Sequence, residues 1–489
     1  MTASGTGTIA HAGVVLPRLL ADRVGLTAAL AGAVARPGFV PVRHRGRALV
    51  DAASAMAAGA SCLSDVEAWT RQVELFGPGG GASDTTVLRA LNELAQALTG
   101  TGLPGRRLAR ATATVRARAW EAVVARHGTL PAVPVAGEPL TRPGSHDGDS
   151  VPSTGASGAD RAVVVIRLDA TVITSASDKE GAEPNYKGFG FHPLTALCSN
   201  TGENLALMQR VGSAGSFTAS DHVAVLDAAI AQVPAPYRRD LLVTTDGAGA
   251  SHEVIEHLHA LNTAPVHGGR GRRVEYSIGW PVDARTTSAI DQLGEGDWSA
   301  GLSATGEPEH EAQVAELTGL LRASHRGDLL TGWPTGMRVM SRRVSRTPAE
   351  QAELGGDAHY RYGAFVTNTA TGQVQHLDAR HRTQAHVEDR IKELKACGAT
   401  RLPSTSYARN SAWLQLAAHA VTLLAWTRLL ALDGDLATAE PKTLRFRVLA
   451  APARYVRHAR RRVLKIPTGW AWTGDLATAW NRIAALHPT

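Results

Sequence analysis

Cysteine is scarce in this chain: three residues in 489, Cys62, Cys198 and Cys397, far apart and in no paired spacing. That excludes a disulfide scaffold and a zinc ribbon, and it fits a reducing cytosol. A long uncharged apolar run is missing too. The most apolar stretch, 414–432, carries Gln415, His419 and Arg428, and reads as a buried core helix rather than a membrane span. Residues 1–11 lack the basic start and apolar core of a secretory signal, so a cytoplasmic protein with no membrane partner is expected.

What is present is enough chain for two or three domains, 44% of it hydrophobic, which argues for globular structure over disorder. Lys and Arg outnumber Asp and Glu by 51 to 44, and the sequence pI is about 9.6. The excess is modest, so its distribution carries the information. Lys442, Arg445, Arg447, Arg454, Arg457, Arg460, Arg461, Arg462 and Lys465 fall in one stretch without an acidic residue, broken by Phe446, Tyr455 and His458. A charge run is usually a solvated face, but a single-signed one fits phosphate contact.

Residues 1–128 read as helical and as a DNA-binding domain. Segments 26–35 and 48–60 are rich in Ala and Leu, and Pro78-Gly79-Gly80-Gly81 is a breaker. Ser83 or Asp84 then caps a helix whose Leu88, Leu91 and Leu94 make an apolar face, leaving Thr85, Thr86 and Arg89 outward. A Gly-rich turn before a capped helix fits a helix-turn-helix as well as an ordinary hairpin. Arg106, Arg107, Arg110, Arg116 and Arg118 follow and favour the DNA reading. Residues 129–161 are broken by prolines and glycines and are expected to be a linker.

From 162 the pattern changes to strands, expected at 163–168, 193–198, 205–211, 241–245 and 274–279, with helices at 221–232 and 252–261. The order β-β-β-α-β-α-β is the frame of the RNase H-like fold, an α/β class. The catalytic domain is placed at 162–400. Residues 280–359 interrupt it and read as an inserted, partly β subdomain. A strand at 360–368 and a helix from about 384 to 396 follow, and 401–489 reads as a helical, basic C-terminal region.

Three acids fall where that frame would put a metal site. Asp169 follows the first strand, Asp246 follows the fourth, which lies beside the first in this fold, and Glu388 lies on the helix after the insertion. Alone, each has an ordinary reading, since Asp after a strand is commonly a turn residue or a helix cap. Together, carboxylates from two adjacent strand ends and a facing helix suit Mg²⁺, with Mn²⁺ as the alternative. Two such ions can activate a nucleophile and stabilise a leaving 3′-oxygen.

The surrounding residues resemble the DDE insertion-sequence transposases. Leu168-Asp169-Ala170-Thr171 looks like their first-aspartate motif, and Tyr186-Lys187-Gly188 with Phe191-His192-Pro193-Leu194 like the block after it. Thr201-Gly202-Glu203-Asn204-Leu205, Arg210-Val211-Gly212 and Thr245-Asp246-Gly247-Ala248-Gly249 extend the likeness. One branch, which carries a β-rich insertion before the Glu, has the third-block pattern Tyr-x2-Arg-x3-Glu-x6-Lys. Here those positions are His381, Gln384, Glu388 and Lys395, so the last two match and the first two depart.

The resemblance implies a bacterial, nucleoid-associated enzyme that binds the terminal inverted repeats of its element and target DNA. It also implies a homodimer in the synaptic complex. Asp169, Asp246 and Glu388 are then the catalytic metal ligands. Lys187, Gln384, Arg390 and Lys395 are expected at DNA, with Arg89 and Arg460, Arg461 and Arg462 on the flanks. The departures at His381 and Gln384 motivate a rival reading, a transposase-derived DNA-binding protein that no longer cuts. A nuclease without strand transfer ranks below both.

Overall fold

The computed structural model describes residues 7–77, 80–142, 161–216, 218–263, 271–353, 359–458 and 461–487. One nine-stranded sheet organises the molecule. Its strands are β1 (Val164–Ala170), β2 (Leu194–Cys198), β3 (Glu203–Met208), β4 (Asp240–Thr245), β5 (Arg273–Trp280), β6 (Ser299–Leu302), β7 (Pro308–Glu316), β8 (Arg338–Ser345) and β9 (Tyr360–Thr367). They lie in the order β3-β2-β1-β4-β5-β9-β8-β7-β6. β4 runs parallel to β1 and to β5, while β2 and β3 are antiparallel neighbours. This is the RNase H-like arrangement expected from the order of elements.

The β2–β3 hairpin forms because two short apolar runs are separated by a tight turn. Gly202 supplies a left-handed residue there, φ 71°, and donates to the Cys198 carbonyl at 2.8 Å. β3 begins two residues earlier than expected, because Glu203 is drawn into the core by Arg116 (2.6 Å). The insertion does not stand apart as a subdomain. β9 pairs antiparallel with β5, and β8, β7 and β6 continue from it, so the inserted strands lengthen the central sheet.

Five N-terminal helices matter here: α1 (Val15–Arg23), α2 (Leu26–Val34), α3 (Arg45–Ala57), α4 (Asp84–Gln96) and α5 (Arg106–His127). Ser83 caps α4 by accepting from the Thr86 backbone N–H. Its buried face is Val87, Ala90, Leu91 and Leu94; Leu88 is only half-buried and Arg89 is exposed. On one face of the sheet, Val164, Ile166, Leu168 and Val243 are covered by Trp120 and Val124 of α5. Val225 and Leu226 of α6 (Ala219–Gln232) and Ile255 and Leu258 of α7 (His252–Thr263) complete that layer.

The stretch taken for a linker is partly ordered. Thr141–Arg142 pairs with Arg161–Ala162, and Val133 and Leu140 pack on Val163, Val165 and Leu242. These apolar residues alternate with prolines, which hid the short strands. Residues 143–160 lie outside the described residues.

Behind Val374–Arg382 (α8) and His386–Leu394 (α9), the chain enters α10 (Tyr407–Ala431). This helix is long and apolar enough to cross a membrane, but 89% of its most apolar window is buried inside the protein. It packs on α3, α4 and β3, so the N-terminal helices share one core with the C-terminal region. Gln415 donates to the carbonyls of Gly102 (2.9 Å) and Leu207 (2.8 Å), joining a loop of the helical layer to β3.

The last segment is not wholly helical, as its Arg- and Ala-rich composition implied. Ala453–His458 (β10) and Arg461–Lys465 (β11) form an antiparallel pair, joined by Thr8–Ile9 on the other edge of β10. Tyr455 faces Leu464 across the pair and both pack on the helical core. The third strand comes from the opposite end of the chain, a pairing no local pattern encodes. Thr473–Ala485 (α11) follows.

Candidate active site

Strand alternation sets the site. Val165, Arg167 and Asp169 point to one face of β1, and Leu242 and Thr244 to the same side of β4. β1 runs two residues further than its apolar run, so Asp169 sits within the strand, paired with Thr195 of β2, rather than after it. Its carboxylate accepts from the Ala170 N–H at 2.8 Å. Asp246 does follow β4, and caps the turn Gly247–Gly249 by accepting from Ala248 N–H at 3.0 Å. The β5 end presses against this turn: a Cβ on Gly279 would lie 2.6 Å from the Gly247 nitrogen.

α9 lies over this face, and two buried side chains fix it there. Arg167, 1% exposed, donates to Ser199 Oγ (2.6 Å) and Thr244 Oγ1 (3.2 Å) and reaches Thr383 Oγ1 (2.9 Å) just before α9. Gln384 donates to the Leu168 carbonyl (3.0 Å) and accepts from Thr244 Oγ1 (2.5 Å). Glu388 stands one helical turn beyond Gln384 and Lys395 two turns further, on one stripe of the helix. Val387 and Ile391 anchor the adjoining stripe on Leu197 of β2.

The charges of Asp246 and Glu388 both reach Asp169. Burial pushes the Asp169 carboxyl up to about 7, and the Asp246 and Glu388 carboxylates push in the same direction, while Lys395 opposes them. Burial and the nearby Lys187 ammonium hold Lys395 below its ordinary value. Lys187 is exposed on the turn between Glu183–Asn185 and Gly188–Phe191, and its Nζ lies 5.4 Å from the Tyr186 ring centroid. Lys395 thus stands within reach of Asp169, and Lys187 within reach of Lys395. Among the described residues no group of three or more His, Cys, Asp or Glu is drawn tightly enough to enclose a metal ion. The donors nevertheless fit a hard divalent cation: all are carboxylate oxygens, and their mutual repulsion is what such an ion relieves.

Several expected DNA contacts are placed elsewhere. Gln384 is buried with both ends of its amide satisfied inside the protein, so it positions α9 and does not face solvent. Arg390 is on the far side of α9, bonded to Glu393 (2.9 Å), which also holds Arg428 of α10 at 2.8 Å. Helical geometry accounts for this, since residue 390 lies about 200° around the helix from Glu388. Arg116 is likewise spent on Glu203. Of the flanking arginines, Arg462 is exposed on β11, Arg461 is described only in its backbone, and Arg460 lies outside the described residues. His381, at the family's Tyr position, bonds Ser277 Oγ (2.9 Å) and stacks on Phe365 at 4.5 Å; burial pushes its pKa down to about 4.

Sequence reading missed Arg167 and His222. A lone Arg inside the β-branched run 163–168 was the available signal for the first. His222, 2% exposed on α6, lies near enough to Asp246 to feel its charge, and nothing local marks it. Trp280 and Trp333 form an aromatic stack with His252 beside the Asp246 turn, whereas Trp298 is buried under the Arg343 guanidinium.

The internal role of Gln384 is testable. Gln384→Ala leaves the Leu168 carbonyl and the Thr244 hydroxyl without that partner, at an expected cost of about 1–3 kcal/mol of stability. Chemical denaturation should register that loss; a surface DNA contact would instead lower duplex affinity and leave stability unchanged.

No curated protein matches this chain. A solved structure, the piggyBac transposase synaptic complex with hairpin DNA, is similar at a TM-score of 0.41 and 8% identity, over 99% of this chain and 88% of that one. A family model described as "Transposase DDE domain group 1" matches residues 156–488, well over half of the chain. With that match the chain belongs to the DDE transposase family.

Proposed function

We propose that this protein cuts DNA at the ends of an insertion sequence and joins them to target DNA, using Mg²⁺ or Mn²⁺ held by Asp169, Asp246 and Glu388. The observation that carries the reading is the DDE-domain match over 156–488 together with Asp169 on β1 and Asp246 at the end of the neighbouring parallel β4, where burial and the Asp246 and Glu388 charges push the Asp169 carboxyl up. Structural ion pairs place acids beside bases. A cluster of like charges on strand ends suits a bound cation better than a fold-stabilising role.

Divalent ions bound there would activate a nucleophile and stabilise the leaving 3′-oxygen. The chain's own side chains do the rest. Ala170 N–H orients the Asp169 carboxylate, and Arg167 with Gln384 fixes the height of α9, and so of Glu388, over the strands. Lys187 and Lys395 are point charges suited to the phosphates flanking the cut. Arg89 and Arg462, both exposed, extend the basic surface. Holding two terminal repeats at once calls for a homodimer.

The inactive DNA-binding alternative rested on the departures at 381 and 384. Both side chains bond within the protein, so their identity bears on packing rather than on the reacting phosphate. The test is cleavage of a labelled duplex carrying the element's own terminal repeats, with Mg²⁺ or Mn²⁺, for wild type and Asp169→Ala. Metal-dependent 3′-hydroxyl ends that vanish in the variant are expected. Cleavage that survives in Asp169→Ala would overturn the proposal.

A further inference from the structure

A second cluster lies beyond the acids. The wide π-helical turn Arg445–Leu449 presents Phe446, a residue 62% exposed although it is large and apolar. Two half-buried indoles, Trp470 and Trp472, stand beside it. Phe446 lies 5.9 Å from Trp470 and 5.8 Å from Trp472, and the two indoles are 5.6 Å apart, edge to face at 69°. The Arg447 guanidinium sits 5.3 Å from the Trp472 ring centre, and Trp470 Nε1 donates to the Arg447 carbonyl at 3.0 Å. Trp470 is therefore a brace, whereas Phe446 offers an open face.

The placement and charge of this cluster are informative. Arg445 ties the turn to the catalytic layer, donating to the Ala396 carbonyl at 2.6 Å, one residue past Lys395, and to the Ala57 carbonyl of α3 at 2.8 Å. No Asp or Glu occurs between Glu440 and Asp475, and that span carries Lys442, Arg447 and the basic pair of strands β10 and β11. An aromatic face with a guanidinium against it, in a stretch of chain whose charges are all positive, suits a ligand with flat π surfaces on a polyanionic backbone. In a duplex the base faces are hidden in the stack, so the ligand that fits is unpaired.

We propose that Phe446 and Trp472, with Arg447, form a stacking platform for unpaired bases of single-stranded DNA. It rests on the reading that this chain handles DNA, and it assigns a place to the nucleotides left without partners when a strand is cut. Every base has a π face, so the platform would bind with little sequence preference.

The test uses the full chain in EDTA at fixed salt, with a short fluorescent oligothymidine, an abasic strand of the same length and charge, and a blunt duplex. Oligothymidine should bind roughly tenfold tighter than the abasic strand, the scale of losing one stacked base. Phe446→Ala and Trp472→Ala should bring it to the abasic level, Trp472→Phe should retain most of it, and abasic binding should not change. Melting curves check that the variants fold; Phe446→Leu, at an exposed position, serves if an alanine variant does not. Equal binding of oligothymidine and abasic strand by wild type would overturn the proposal. So would a Phe446→Ala variant that alters the chain's mass in light scattering and leaves oligothymidine binding intact, because the face would then be a protein contact. Oligothymidine binding is read in EDTA and needs no cut strand. A wild type that stacks bases but never cuts would therefore sink the catalytic reading and leave this one standing.

Discussion

Asp169→Asn should melt higher than wild type at pH 8 in the absence of metal, and should cleave DNA at least about 10²–10³-fold more slowly in its presence, the scale on which one lost electrostatic contact in a transition state is felt. Burial, helped by Asp246 and Glu388, raises the Asp169 carboxyl from 3.8 to about 7 in the folded chain. A folded-state value above the unfolded one means that the proton stabilises the native state. That contribution is full below 3.8, falls as pH rises, and is gone above about 7. At pH 8 the wild type carries a half-buried anion that asparagine removes at almost constant shape. The gain in melting temperature should accordingly be small near pH 4, grow to about pH 7 and then level off. Added Mg²⁺ should raise the wild-type melting temperature, since a ligand that binds only the folded state stabilises it by mass action, and should do little for the variant. A variant that melts lower than wild type at pH 8 would mean that Asp169 is held by partners rather than strained by neighbours.

Glu203→Ala should cost about 3–5 kcal/mol, the usual penalty for leaving one member of a buried ion pair alone. Glu203 is fully buried and accepts from Arg116 Nε (2.6 Å), Trp120 Nε1 (2.5 Å) and Thr201 Oγ1 (2.7 Å). Arg116 also reaches Gln232 of α6 and the Asn204 carbonyl at 3.0 Å. One carboxylate thus joins α5, the β2–β3 turn and, through Arg116, α6. Removing it strands a guanidinium in the core and strips an indole N–H of its acceptor. Glu203→Gln keeps acceptors for Trp120 and Thr201 while losing the charge, so it should fall between wild type and alanine. Denaturant titration of the three proteins gives the ranking; a loss under about 1 kcal/mol for alanine would make the cluster incidental.

How far the molecule could be read from its sequence depended on whether the signal was local. β1 and β4 announce themselves as β-branched runs ending in Asp, and strand alternation then carries Arg167 and Asp169 to the face under α9. Glu388 was legible because a family-like spacing links it to Lys395 on one helical stripe. At 384 and 390 the same signal left the direction of the side chain open. Motif position says that a residue lies near the site, but which way it points depends on helical phase and on partners far along the chain, such as Thr244 for Gln384 and Glu393 with Arg428 for Arg390. The same limit hid the hairpin of β10 and β11, whose arginines suggest a solvated helix until Tyr455 and Leu464 are seen packed inward.

The pairing of Thr8–Ile9 with β10, reinforced by the Ala12 N–H on the Ala451 carbonyl at 2.8 Å, has a temporal side. During synthesis Thr8 and Ile9 emerge more than 400 residues ahead of their partners Arg454 and Ala453. Until then, the leucines of α1 lack the surface of α10 and must wait exposed or loosely collapsed. A chain stopped before residue 450 would therefore be left with an unfinished core, open to proteolysis and to association with other nascent chains.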